Sequence, residues 1–149
     1  MDPVLLRALA VAAILVAAVL VGRWWQGRDG EVRRVAHDRL QPDHLADVGL
    51  DLAGGEVGGV LLGSPTCRPC DAVKRLLQEL SAERRDFRWV YADAADHLGL
   101  TVAHRVHRVP TLLLVEPDGR VLARTSGVPR RDELRRVIDH GERIGDTAA

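Results

Sequence analysis

Val60-Leu61-Leu62-Gly63-Ser64-Pro65-Thr66-Cys67-Arg68-Pro69-Cys70-Asp71 is the stretch whose reading decides this chain. An apolar run ends in a Gly/Ser/Pro turn. The only two cysteines follow, three positions apart, and a helical pattern begins at once in Asp71-Ala72-Val73-Lys74-Arg75-Leu76-Leu77. A strand–turn–helix reading puts Cys67 at or just before the helix N-terminus, where unpaired backbone N–H groups favour a thiolate. Cys70 comes one turn later on the same side. Two thiols so placed open and close a disulfide at little conformational cost. The competing reading is two inert core cysteines or half a metal site. Pro65, Pro69 and the abrupt helix start favour the redox reading.

Working outward, the 149 residues suffice for one domain with a real core and an appendage. Formal net charge is zero, with 21 basic and 21 acidic residues, which argues neither for nucleic acid nor for an acidic partner. Twenty of the basic residues are Arg and only Lys74 is Lys, read with the many alanines as compositional bias. A zinc site needs two ligands beyond the cysteines, and the six scattered histidines lack the spacing, so no metal is expected. No Gly-rich nucleotide motif is present, so no cofactor is expected and electrons must come from outside.

Val4 to Val21 is apolar except for Arg7, and Ala8 to Gly22 is uncharged. At about 1.5 Å per residue such a run just crosses a hydrocarbon core of roughly 30 Å. Trp24 and Trp25 follow, in keeping with a membrane interface. The expectation is a single-span anchor over residues 1–25, in contact with the bilayer through residues 4–21, and a single-pass location in the cell membrane. A cleaved signal peptide is the rival, but its small residues fall inside the run. Arg23, Arg28, Arg33 and Arg34 outnumber Arg7 and the terminal amine, which places the following domain in the cytoplasm by a narrow margin.

Residues 26–30 read as a polar linker and Glu31 to Val35 as a short edge strand. Pro42 to Val48 reads as a short helix with Leu45 and Val48 inward, and Val57 to Leu62 as a central strand. A helix from about Arg68 to Arg84 sets Val73, Leu76, Leu77 and Leu80 on one stripe. Phe87 to Ala92 alternates as a strand. A short helix then runs through Leu98, Val102 and Val106. Thr111 to Val115 is a second central strand opened by Pro110, whose peptide bond is a candidate for the cis form. Glu116-Pro117-Asp118-Gly119 turns the chain into an antiparallel strand from Arg120 to Thr125. Val121 and Ala123 are expected on one face of it and Leu122 on the other, with Gly127 as a bulge or close-packing site. Asp132 to Ile144 is the last helix, with a frayed tail over 146–149.

This pattern resembles the thioredoxin family. Thr66-Cys67-Arg68-Pro69-Cys70 is similar to that family's active-site motif, and Val109-Pro110-Thr111 to the proline loop that faces its dithiol. Gly119 and Gly127 resemble the glycines of the terminal hairpin. The likeness covers residues 31–145 and implies an α/β fold, a mixed central sheet flanked by helices, here preceded by the N-terminal transmembrane helix. It implies that Cys67 attacks a substrate disulfide and Cys70 resolves the mixed disulfide. Thr66, Arg68, Pro69, Val109, Pro110 and Thr111 would form and tune the substrate groove. The partners implied are protein disulfides and a reductase or membrane electron donor.

Three residues depart from the family. Thr66 stands where an aromatic residue is usual. Arg68 replaces a glycine and adds positive charge beside Cys67, favouring its thiolate and an oxidising potential. Leu61 replaces a buried aspartate six residues before the nucleophile, leaving Glu56 and Asp93 as the nearest acids in sequence. His104 and His107, among Arg105 and Arg108, could tune the site, but a solvated face is the favoured reading. The function expected is membrane-tethered thiol:disulfide exchange in the reducing direction. The alternatives are an outward-facing exchanger of the cell envelope, of the cytochrome-maturation type, and a non-enzymatic anchored adaptor using the same groove.

Overall fold

The structure, a computed structural model, describes residues 3–26, 30–35 and 38–145. Its elements are α1 (Pro3–Gln26), β1 (Arg33–Arg34), α2 (Pro42–Asp47), β2 (Val57–Gly63), α3 (Arg68–Glu83), β3 (Phe87–Asp93), α4 (Leu98–Ala103), β4 (Thr111–Val115), β5 (Val121–Ser126) and α5 (Arg131–Gly145). Five strands form one sheet in the order β1-β5-β4-β2-β3. β2 is buried along its whole length, as its unbroken apolar run requires. It pairs parallel with β3 through the α3 crossover and antiparallel with β4.

Alternation along the strands divides the core between the two faces of the sheet. Val57 and Leu61 of β2 join Val73, Leu77 and Leu80 of α3 and Leu134 and Ile138 of α5. Val60 and Leu62 join Leu45 of α2 and Leu100 of α4. A sheet covered by helices on both faces results. Its C-terminal hairpin turns at Gly119, whose φ of 84° and whose closeness to the Leu40 carbonyl leave no room for a Cβ.

The structure corrects the reading of the N-terminus. Among the described residues no helix is long and apolar enough to cross a membrane. The transmembrane helix expected over residues 1–25 is therefore withdrawn. With it go the bilayer contact through residues 4–21, the membrane location, a membrane electron donor and the orientation argued from the flanking arginines. Residues 27–29 of the expected linker and the tail 146–149 lie outside the described residues.

Smaller corrections have local causes. The register of β4 with β5 shifts between Leu114, opposite Ala123, and Val115, opposite Val121, so Leu122 is an extra residue. Val121 and Ala123 consequently enter different core clusters instead of sharing a face. In α4 it is Leu100 that is buried, while Leu98 and Val102 are exposed. Arg105, with a φ of 48°, ends that segment. β1 keeps only Arg33 and Arg34 of the expected five-residue strand.

Candidate functional site

Cys67 is the N-cap of α3, in extended conformation, with its N–H donating to the Ser64 carbonyl at 3.1 Å. Its own carbonyl accepts the Cys70 N–H at 3.1 Å. The turn is built by Pro65 before the helix and by Pro69 in its first turn, where a missing N–H costs nothing. Cys67 and Cys70 form a disulfide with Cα atoms 5.3 Å apart. Cys67 is half-buried and Cys70 wholly buried, so one sulfur faces the surface and the other lies beneath it.

The Val109–Pro110 peptide bond is cis. Pro69, Arg108, Val109, Pro110, Gly127 and Val128 line a shallow open depression of about 340 Å³. Residues from three separate parts of the chain therefore meet next to the dithiol turn. The Gly127 N–H donates to the Pro110 carbonyl at 2.9 Å, tying the end of β5 to the proline. Among the described residues, neither the N–H nor the C=O of Val109 has a hydrogen-bond partner. Thr111 is buried below the loop, its hydroxyl donating to the Arg108 carbonyl at 2.8 Å and 3.1 Å from Ser126 Oγ. Thr66 and Arg68 are exposed on the turn and do not line the depression.

Beneath the site, Leu61 is fully buried in the α3 side of the core. Glu56 and Asp93 are occupied elsewhere. Glu56 accepts the Ala53 N–H and pairs with Arg88, and Asp93 accepts the Ala95 N–H. A cluster that sequence reasoning missed lies close to Cys70. A Cβ placed on Gly63 would sit 2.5 Å from Tyr91 Cε2 and 3.1 Å from Cys70 Sγ, so ring and sulfur converge on the space this glycine leaves open. Lys74 Nζ lies 3.9 Å from the centre of the Tyr91 ring. The Tyr91 hydroxyl is buried without a partner among the described residues. Burial, then the charges of Asp93, Asp71 and Asp96, hold its ionisation above the ordinary tyrosine value. The i, i+4 spacing of Cys70 and Lys74 was the available signal.

His104 is buried, with its Nδ1 3.0 Å from an Asp38 carboxylate oxygen, not on a solvated face, while His107 is exposed. Among the described residues, no group of three His, Cys, Asp or Glu side chains could hold a metal ion.

No protein-family model matches this chain, and no curated protein does either. Solved structures do. A mutant thioredoxin from Halobacterium salinarum is 26% identical, with a TM-score of 0.55, over 68% of this chain and 86% of that one. Thioredoxin NaTrxh from Nicotiana alata is 24% identical at a TM-score of 0.52, over 58% of this chain and 73% of that one. The mitochondrial thioredoxin 3 of Saccharomyces cerevisiae, in its oxidised form, is 21% identical at 0.50, over 57% and 78%. The chain has a thioredoxin-like fold, and a cysteine pair at disulfide distance within that fold supports a thiol:disulfide oxidoreductase activity.

Proposed function

We propose that the domain spanning residues 31–145 exchanges its Cys67–Cys70 dithiol with disulfides of protein substrates. The observation that carries this reading is the asymmetry of the pair, a half-buried Cys67 at a helix N-terminus over a wholly buried Cys70. In the reduced protein the Cys67 thiolate, favoured by the helix terminus and by Arg68, attacks one sulfur of the substrate disulfide. A Cys67–substrate disulfide forms and the other substrate sulfur leaves as a thiolate. Cys70 then attacks Cys67 Sγ, which closes the internal bond and releases the second substrate thiol. Two electrons pass to the substrate, and a dithiol reductant outside this chain restores the pair. The depression at Pro69 and Val109–Pro110 holds the substrate as an extended segment, with the unpaired Val109 backbone groups offering it strand-like hydrogen bonds. Thr66 and Arg68 border the attacking sulfur, and Thr111 holds the loop from below.

Reduction of insulin by the full chain with a dithiol donor tests this, beside Cys67→Ser. Turnover that vanishes in the variant is the expected result. Absence of Cys67-dependent turnover in either direction leaves a binding adaptor using the same groove as the better reading.

A further inference from the structure

The redox depression has a neighbour. A cleft of about 470 Å³ is lined by Glu31, Arg33, Arg34, Val35, Arg108, Arg124 and Ser126. Four arginines and one glutamate are among its lining residues. They come from three places in sequence, gathered by the antiparallel pairing of β1 with β5, which sets Arg33 opposite Arg124. The gathering beside the redox depression sets these arginines apart; elsewhere among the described residues some surface arginines are matched with acids and others, such as Arg75 and Arg135, are not. Arg39 pairs with Asp118, Arg88 with Glu56, and Arg131 with Glu79 and Glu83.

In the cleft the matching is incomplete. Glu31 pairs with Arg33 at 3.3 Å, across an exposed contact of little worth. Arg124 is held by the backbone carbonyls of His104 and Arg105, the second at 2.9 Å. Those acceptors fix its guanidinium in place while leaving its charge uncompensated. Among the described residues neither Arg34 nor Arg124 has a carboxylate partner. Arg108 lines both the cleft and the depression at Pro69 and Pro110, so the two adjoin.

We infer that this arginine cleft is a specificity site that takes an acidic segment of the substrate polypeptide flanking the disulfide that reaches Cys67. The inference rests on the exchange reading given above. Planar guanidinium groups match carboxylates, and a positive cleft raises the encounter rate of acidic chains in a way that salt weakens. A segment lying across Pro110 needs only to continue past Arg108 to enter it.

The test compares two synthetic peptides bearing the same intramolecular disulfide, one flanked by Asp and Glu and the other by Asn and Gln. Each is assayed with the reduced full-length protein at low and high salt, beside bis(2-hydroxyethyl) disulfide as an uncharged substrate. The expected result is a kcat/KM about tenfold higher for the acidic peptide at low salt, shrinking as salt rises. Arg34→Gln is expected to reduce that ratio, and Arg34→Glu to shift preference toward a Lys-flanked peptide. Because the readout is a ratio within each variant, a loss of folded protein does not imitate it. Equal kcat/KM for acidic and neutral peptides, with the uncharged disulfide still reduced, overturns the cleft while leaving the exchange reading intact. If none of the three disulfides is reduced, the exchange reading itself falls, and the cleft with it.

Discussion

Lys74 Nζ sits 3.9 Å from the centre of the Tyr91 ring, and that ring shares with Cys70 Sγ the space left by Gly63. The chain's only lysine and only tyrosine thus stand together beside the inner cysteine. An apolar Leu61 fills the core nearby, so the polar character of this region comes from α3 and β3 instead of from a buried acid on β2.

With a single tyrosine in the chain, phenolate absorbance reports Tyr91 alone. The transition is expected above the ordinary value of about 10, because burial, Asp93, Asp71 and Asp96 disfavour the anion. The native state then keeps the proton after the unfolded chain has lost it. Stability from this group is complete below about pH 10, falls as pH rises past it, and levels off once the native hydroxyl ionises. Denaturant unfolding across that range should show the decline, and Tyr91→Phe should flatten it. A Tyr91 transition below the ordinary value would contradict the burial described. Lys74→Met should separately cost about 0.5–1 kcal/mol at neutral pH.

Gly63→Ala places a methyl group against the Tyr91 ring and close to Cys70 Sγ. Overpacking there should destabilise the oxidised protein by about 1–3 kcal/mol. Thermal unfolding measures the loss. Gly54→Ala, where a Cβ meets nothing within 4 Å, is the control, expected to stay within about 0.5 kcal/mol of the parent.

Cys70→Ser removes the buried sulfur and keeps the half-buried one. In the exchange mechanism the mixed disulfide on Cys67 should then accumulate and be visible by intact-protein mass spectrometry. Its lifetime should lengthen by about tenfold or more, since only external thiols release it. Cys67→Ser should form no such adduct. An equal yield of adducts in both variants would show that the two sulfurs are not functionally distinct.

Acid sensitivity has an identifiable source at the C-terminal end of α3. The Arg84 side chain hydrogen-bonds the Asp86 carboxylate and also pairs with Asp139 of α5. The Arg84 hydrogen bond holds the Asp86 carboxyl below the usual carboxylate range, outweighing burial, which pushes it up. A lowered native value means this stabilisation is present above about pH 4 and lost as pH falls through the native value. Asp86→Asn should cost about 1 kcal/mol at neutral pH and shallow the acid limb of the stability profile. A variant as acid-sensitive as the parent would locate the effect elsewhere.

Much of this molecule is legible in one dimension. The apolar run of β2, the cysteine spacing and the Val109-Pro110-Thr111 stretch locate the sheet, the dithiol turn and the loop beside it, because each follows from local chemistry. What resists such reading depends on pairing between distant segments. The extra residue at Leu122 follows from the β4–β5 register, and the burial of His104 from a partner 66 positions away. The arginine cleft exists because β1 lies on β5, whereas in sequence its residues look like ordinary basic composition. At the N-terminus the error has another origin. Hydropathy alone suggested a span, and no helix in the described structure meets the length and apolarity that spanning demands.

The two-residue strand β1 has a consequence for self-association. It forms one border of the sheet, and both of its residues are exposed arginines. A border this short and this charged is a poor template for another polypeptide to zip onto. Neutralising Arg33 and Arg34 to broaden substrate choice would also weaken that safeguard, giving a second copy a seam along which to dock. Tolerance of substrates and solubility are therefore tied to the same two side chains.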